Sequence, residues 1–558
     1  MHVVREKITT LRLKASLNWI EFLLVQTFMK IKQNLNRIYS AIDQLLIDAA
    51  SKKFILHNKI IWSDNKKFKD SSSEILCEFN GMHSAIIAYS YLSNLLSNKY
   101  QAKIVAFSEP SSSWLKITLY KLISPKLERI YKSFNTTNFI VISLSKKQKE
   151  DAELIFNDVY HNLKNKKDVE NINIDGVHIG DLIYDTYLRK ESVPTIDLLD
   201  KRFISSLKKS IGVYVFWRDY LTNHNVRAIN VSHCVYNLAI PLRIAINRNI
   251  SAYQINATHV YKLTKQNTHA YNDFLYYRIK FSSLSKDMQL RGIEEAKNRL
   301  ERRFAGEVGV DMAYSKKSAY SDQKKKRVIR ESNKIKLLIA THCFFDSPHP
   351  YGINIFPDFY EWLNFLGEIS ENTDYDWYIK THPDFLLGNV EIINKFVCQY
   401  PKFTLIPSDT SHKQIIKEGI NYALTVHGTI GFEYAALGVP VINASMFNPH
   451  IAYDFNIHPE TIEQYRDVLM DLDNQSLLID KQEVYEYYFM RFIYNNNDWL
   501  LDDYSSMIKE LGGYREQLEP KVYDYFLGKF NVNRHQKTVK SLGCFIESND
   551  FRMHYTEI

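Results

Sequence analysis

Cysteine is sparse and unpatterned in this chain. Its five residues, Cys77, Cys234, Cys343, Cys398 and Cys544, form no C-x-x-C pair. That spacing argues against a disulfide framework or a clustered zinc site and points to a reducing compartment. Proline and glycine are missing from residues 1–50, so that stretch reads as one or two helices. Long apolar runs are missing too. The uncharged stretch Phe22–Met29 is far short of the ~20 residues a bilayer-spanning helix needs. No small-residue cleavage site follows a clean apolar core, so no secretory signal is expected. A large charge of one sign is also lacking. The formal net charge of +8 fits anionic substrates or an anionic membrane face and does not demand nucleic acid.

What is present is a chain long enough for two or more domains, with 45% hydrophobic and 24% charged residues, as in a globular protein. Aromatics are abundant at 13%, with 37 tyrosines. They suit sugar-stacking surfaces, and they equally suit AT-rich codon usage. In the first fifty residues Arg5, Lys7, Arg12, Lys14, Lys30, Lys32 and Arg37 outnumber Glu6, Glu21, Asp43 and Asp48. A basic amphipathic helix of this kind can lie on a membrane surface or pack on its own domain with a solvated basic face.

From Glu74 strands and helices alternate. Glu74–Phe79, Lys103–Phe107 and Asn138–Leu144 read as strands, with helices over Met82–Leu96, Trp114–Ile123 and Lys146–Asn157 between and after them. Arg227–Val231 and Ser251–Ile255 read as further strands. This alternation predicts a parallel, doubly wound sheet. Within it, Ile174–Arg189 crowds glycines, carboxylates, a histidine, tyrosines and an arginine together. A helix there places Asp181 and Asp185 one turn apart on one face. Such carboxylates can deprotonate a sugar hydroxyl or serve as a cap and its structural partner. His233 follows the Arg227–Val231 strand, where it can face a ligand or cap the next helix.

Residues 316–336 carry nine Lys or Arg without apolar periodicity, so they read as a linker. The alternation then resumes with strands at Ile335–Ala340, Trp377–Ile379, Phe403–Ile406, Tyr422–Val426 and Val439–Ile442, before a mostly helical stretch to about Leu511. The expected organisation is α/β. A basic helical extension spans 1–70, a Rossmann-like domain 71–315 and a linker 316–334. A second Rossmann-like domain spans 335–512, and a tail that the sequence does not place spans 513–558.

The stretch Tyr422–Ser445 reads as strand, tight turn, helix, Gly438 stop and strand. A helix opening at Gly428-Thr429 points free N–H groups at whatever lies above the sheet. That suits an anion such as phosphate, or it is an ordinary α/β unit capped by Thr429. A second strand, Asp376–Lys380, runs into Thr381-His382-Pro383. Ligands of open parallel sheets lie outside the strands' carboxyl ends, so Lys380, His382 and the Gly428-Thr429 turn can converge on one nucleotide phosphate.

These motifs resemble those of GT-B glycosyltransferases of bacterial surface polysaccharide synthesis. Ile379-Lys380-Thr381-His382-Pro383 is similar to the His-Pro motif of capsule-synthesis enzymes, including Kdo-transferase-type and CMP-sialic-acid-using families. His427-Gly428-Thr429-Ile430-Gly431-Phe432-Glu433 with Ala436–Pro440 is similar to their second nucleotide motif. Gly180–Asp185 with Tyr187-Leu188-Arg189 resembles a segment of surface-polysaccharide proteins. The resemblance covers roughly residues 170–450. It implies a glycosyltransferase of capsule or lipopolysaccharide synthesis that uses a nucleotide-sugar donor, CMP-linked by preference. The acceptor it implies is a lipid-linked or polymeric glycan, and the place of action is the cytoplasm or the inner membrane face. His382 and Thr429 would hold the donor phosphate, alongside Lys380, Pro383, His427 and Gly428, and Glu433 would accept ribose hydroxyls. Asp181 or Asp185, or alternatively His233, would be the base. No D-x-D motif lies in a matching place, so no metal or other cofactor is expected. Teichoic-acid glycerophosphotransferases share similar elements, and a non-catalytic assembly or export partner is the reading from another class.

Overall fold

The computed structural model describes residues 47–108, 126–312, 315, 317–321, 326–381, 388–495, 498–501 and 503–554. Helices expected before residue 47 and over Trp114–Ile123, and the site residues His382 and Pro383, lie outside the described residues.

The first sheet is built from β1 (Ser73–Glu78), β2 (Lys103–Phe107) and β3 (Thr136–Ile140). After a separate hairpin of β4 (Asn173–Ile174) and β5 (Val177–His178), it continues with β6 (Asn225–Val231), β7 (Ser251–Ile255) and β8 (Val260–Leu263). The strand order is β3-β2-β1-β6-β7-β8. All pairings are parallel except the β7–β8 edge. The second sheet contains β9 (Lys336–Ala340), β10 (Asp376–Lys380), β11 (Phe403–Ile406), β12 (Tyr422–Thr425) and β13 (Val441–Asn443). It is wholly parallel in the order β11-β10-β9-β12-β13. Each sheet therefore reverses its order once, between β1 and β6 and between β9 and β12.

Both sheets are covered on both faces. In β1, Ile75 and Cys77 join one core while Leu76 joins the other. In β9, Leu337 and Ile339 face one core and Leu338 the opposite one. Successive side chains of a strand point to opposite faces. A strand buried on both sides thus reads as a continuous apolar run, which is why these strands were legible in the sequence. The β8 edge was not, because its V-Y-K-L sequence is short and carries a lysine.

The two termini of the described chain meet. Helix Ala49–Ile61 packs with helices Lys521–Lys529 and Val532–Glu547 over one face of the first sheet. Phe54 stacks on Tyr523 at 4.2 Å, and the Tyr523 hydroxyl lies 2.8 Å from His83 Nδ1. The tail thus returns to the first half of the chain. Its anchors Val522, Tyr523 and Phe526, then Leu542, Phe545 and Ile546, follow a helical stripe diluted by polar neighbours. Helix Lys286–Phe304 does the reverse. Its Ala296 and Leu300 share a core with Phe432, Ala435 and Tyr487 of the second half. Among the described residues no helix is long and apolar enough to cross a membrane.

Candidate functional site

A cavity of ≈ 180 Å³ opens at the carboxyl ends of the second sheet. Its floor is the strand ends: Ala340, the last residue of β9, Lys380 of β10 and Thr425 of β12. The strands that border it include β9 and β12, the pair at the reversal point, where ligands of open α/β sheets bind. Gly428, Thr429 and Ile430 form one wall, and Tyr320, His342 and His412 add to the others.

Local sequence explains the Gly428–Ile430 wall. The Gly428 N–H donates to Thr425 Oγ1 at 3.2 Å, folding the chain sharply at the end of β12. A Cβ on Gly428 would lie 2.7 Å from that hydroxyl. The helix Ile430–Ala436 then starts without a side-chain cap from Thr429. The Gly431 N–H donates to the Gly428 carbonyl at 3.1 Å, and Phe432 and Glu433 donate to the Thr429 carbonyl at 3.2 Å. The Thr429 and Ile430 amides stand ahead of these bonds, at the wall of the cavity. Behind the turn, the Val426 N–H donates to His342 Nε2 at 3.2 Å, and the His342 ring stacks on Phe359 at 4.5 Å.

Gly431 has its own reason. A Cβ there would meet His450 Cε1 at 2.4 Å and Nδ1 at 2.5 Å, and His450 is buried. Gly431→Ala should therefore lower the unfolding free energy by about 1–3 kcal/mol through overpacking. The check is the urea midpoint, and an unshifted midpoint refutes the crowding.

Lys380 is buried, and its Nζ donates to the Ser408 carbonyl at 2.7 Å. Glu433 also faces the cavity and is engaged on both oxygens. Arg303 forms a salt bridge with Oε1, and the Tyr320 hydroxyl donates to Oε2 at 2.8 Å. Arg303 and Tyr320 come from the segment between the two sheets, and no local motif marks them as site residues. His427 lies beside His342 with ring centroids 4.6 Å apart. Burial holds its pKa down at about 4, so the ring is neutral at pH 7, and among the described residues its Nε2 has no hydrogen-bond partner.

Asp181 and Asp185 do share one helix face, on Gly180–Glu191. That helix starts tight against the Val169–Glu170 backbone, where a Cβ on Gly180 would fall 2.2 Å from the Val169 carbonyl oxygen. Both carboxylates are buried and already paired. Asp181 accepts from Arg243 at 2.7 Å and lies 3.2 Å from His269. Burial would favour the neutral acid, but Arg243 and His269 hold Asp181 well below the usual carboxylate range. Asp185 lies 2.6 Å from Nδ1 of His349, whose Nε2 is 3.0 Å from Glu170. Burial lifts Asp185 to about 6 against the pull of His349. The same burial works against the charged His349 ring, but Asp185 and Glu170 outweigh it and raise its pKa to about 10. Sequence density marked this segment, and its partners Arg243 and His349 stand 62 and 164 positions away.

His233 follows β6 and is exposed. Asp346, from the loop after β9, lies within electrostatic reach of both His233 and His427. Tyr236 donates to Asp346 Oδ1 at 2.7 Å. The carboxyl ends of the two sheets therefore meet around Asp346, another residue that no sequence motif marked.

No protein-family model matches this chain, and no curated protein matches it. Solved structures do align. A beta Kdo 2,4 transferase, KpsC of Thermosulfurimonas dismutans, is 10% identical, covering 47% of this chain and 79% of its own at a TM-score of 0.30. The UDP-GlcNAc 2-epimerase of Neisseria meningitidis is 12% identical, covering 78% of this chain and 98% of its own at 0.19. A glycosyltransferase of Rickettsia africae is 10% identical, covering 82% of this chain and 99% of its own at 0.23. At such identities and scores the likenesses carry no functional weight.

Proposed function

We propose that this chain is a GT-B-like glycosyltransferase of bacterial surface polysaccharide synthesis, with two Rossmann-like halves. It moves a sugar from a nucleotide-activated donor, CMP-linked by preference, to a growing glycan. One observation carries the reading: Lys380 and the Gly428–Ile430 turn open onto a single cavity beside the reversal point of the second sheet. As the glycosidic bond breaks, the departing nucleotide gains negative charge. A lysine and aimed backbone N–H dipoles stabilise that charge at the place where it develops. His382, two positions beyond β10 in sequence, is assigned to the same phosphate. Glu433, fixed by Arg303 and Tyr320, offers its remaining lone pairs to ribose hydroxyls. His427, neutral, contributes hydrogen bonding rather than charge. Asp181 and Asp185 are committed to Arg243 and His349, so the acceptor hydroxyl's proton goes to His233.

The test is a thermal-shift screen with CMP, CDP, UDP, GDP and dTDP. A nucleotide at a hundredfold its dissociation constant adds about 2.7 kcal/mol of stability. CMP should raise Tm, and Lys380→Met should remove the rise. No shift with any nucleotide would favour the non-catalytic reading. A phosphodiester in the product would favour the glycerophosphate one.

A further inference from the structure

The reaction proposed above needs a base on the acceptor side, and the carboxyl ends of β1 and β6 hold one in an organised setting. These strands flank the reversal point of the first sheet, the counterpart of the donor cavity's position. Glu78 ends β1 and is buried. Its Oε2 accepts the Ser232 N–H at 2.6 Å and the Tyr89 hydroxyl at 2.7 Å. Its Oε1 accepts the Asn80 side-chain amide at 2.7 Å. That amide also reaches Ser232 Oγ at 3.4 Å, and Ser232 Oγ lies 2.9 Å from His233 Nδ1.

Two further features set this cluster apart from an ordinary strand end. Among the described residues no cation pairs with the buried Glu78 carboxylate, so its field acts on the neighbouring ring. Tyr236, just past His233, has φ 60° and ψ −175°, a conformation almost reserved for glycine and typical of functional loops. It is held there by its hydroxyl on Asp346.

We propose that Glu78 is a positioning residue for His233. Through Ser232 and Asn80 it holds the ring with Nδ1–H donated to Ser232 Oγ, leaving Nε2 for the acceptor, and its charge stabilises the imidazolium formed there. The inference rests on the transferase reading. The acceptor oxygen forms the new bond to the sugar's anomeric carbon while its proton passes to His233 Nε2. The bond from that carbon to the donor phosphate oxygen breaks, and its electron pair leaves with the nucleotide. The imidazolium then returns its proton to solvent. The logic is that of an acid that orients a histidine base without taking the proton itself. Although the ring reaches the surface, desolvation by the groups packed around it lowers the His233 pKa, while Glu78 and Asp346 pull it up. Among the described residues, His259 also lies within electrostatic reach of the ring.

The test needs no sugar. The full chain is treated with diethyl pyrocarbonate between pH 5.5 and 8.5, and carbethoxylation of the His233 peptide is followed by mass spectrometry. The midpoint of reactivity should fall by about one unit in Glu78→Gln, because a nearby negative charge that favoured the protonated ring is gone. Should that variant fail to fold, Ser232→Ala keeps the backbone N–H to Glu78 and removes the Nδ1 partner, and it should lower the midpoint as well. A midpoint unmoved in a folded Glu78→Gln or Ser232→Ala protein overturns the proposal. The base role is read separately: His233→Asn should lose turnover of the donor identified by the nucleotide screen while keeping its nucleotide-induced rise in Tm. Normal turnover in that variant overturns the role even if the midpoint shift is seen. Absence of any nucleotide effect in the wild type strikes the transferase reading instead.

Discussion

Turnover by the His382→Ala protein is expected to fall by about 10²–10³-fold, the scale lost when one donor to a developing negative charge is removed. His382 is two positions beyond β10 in sequence, and Lys380 and Thr381 at that strand's end line the cavity together with Thr429. Gly428→Ala should be equally damaging for another reason. Its Cβ would lie 2.7 Å from Thr425 Oγ1 and 3.5 Å from His342 Cε1, both of which line the cavity. The crowded atom is the Thr425 hydroxyl, which cannot yield freely, since it is 3.1 Å from His342 Nε2 and that nitrogen also accepts the Val426 N–H. The two variants separate in their kinetics. On the proposed donor-site role, His382→Ala removes an interaction with the departing phosphate, so kcat should fall more than KM rises. Gly428→Ala fills and distorts the pocket, so nucleotide binding should weaken in the ground state as well. Both are read from initial rates and from nucleotide titration by calorimetry. Wild-type turnover in His382→Ala removes the donor-site assignment.

The parts of this molecule that sequence disclosed are those whose signal is local. Parallel strands buried on both faces announce themselves as short apolar runs, and the Gly428-Thr429 turn and the Lys380 strand end are contiguous motifs. What stayed hidden depends on residues far apart in the chain. Arg303 reaches Glu433 over 130 positions, and nothing in the charged helix that carries it marks that arginine among its neighbours. Tyr320 sits in a segment whose many lysines read as linker, yet it is buried against Glu433. The Ile174–Arg189 cluster shows the opposite case. Its density was visible, but density does not distinguish a catalytic pair from a structural one. What the sequence does not disclose is the buried cationic partner that each of Asp181 and Asp185 has.

The cluster around His349 sets the largest stability effect. Glu170 and Asp185 come from the first half of the chain and His349 from the second, and all three side chains are fully buried. Beside them the Tyr184 hydroxyl donates to Asp358 at 2.5 Å, again between the halves. Removing the imidazolium leaves the buried Asp185 without its cationic partner and Glu170 with Lys167 alone. His349→Gln should therefore cost about 3–5 kcal/mol, the usual penalty for breaking a buried pair from one side. Adding Asp185→Asn should restore part of that loss, because the residual charge is then removed. Strict additivity of the two substitutions would show that the residues do not act together. The pH dependence has a definite sign. The folded protein holds the His349 proton up to about 10, whereas an unfolded histidine releases it near 6.5. The stabilisation is thus complete below the unfolded value and is lost as pH rises through the folded one. The gap in Tm between wild type and His349→Gln should narrow steadily from neutral pH towards 10. If the gap is constant across that range, His349 is not the protonated tie between the halves that its two carboxylate neighbours require.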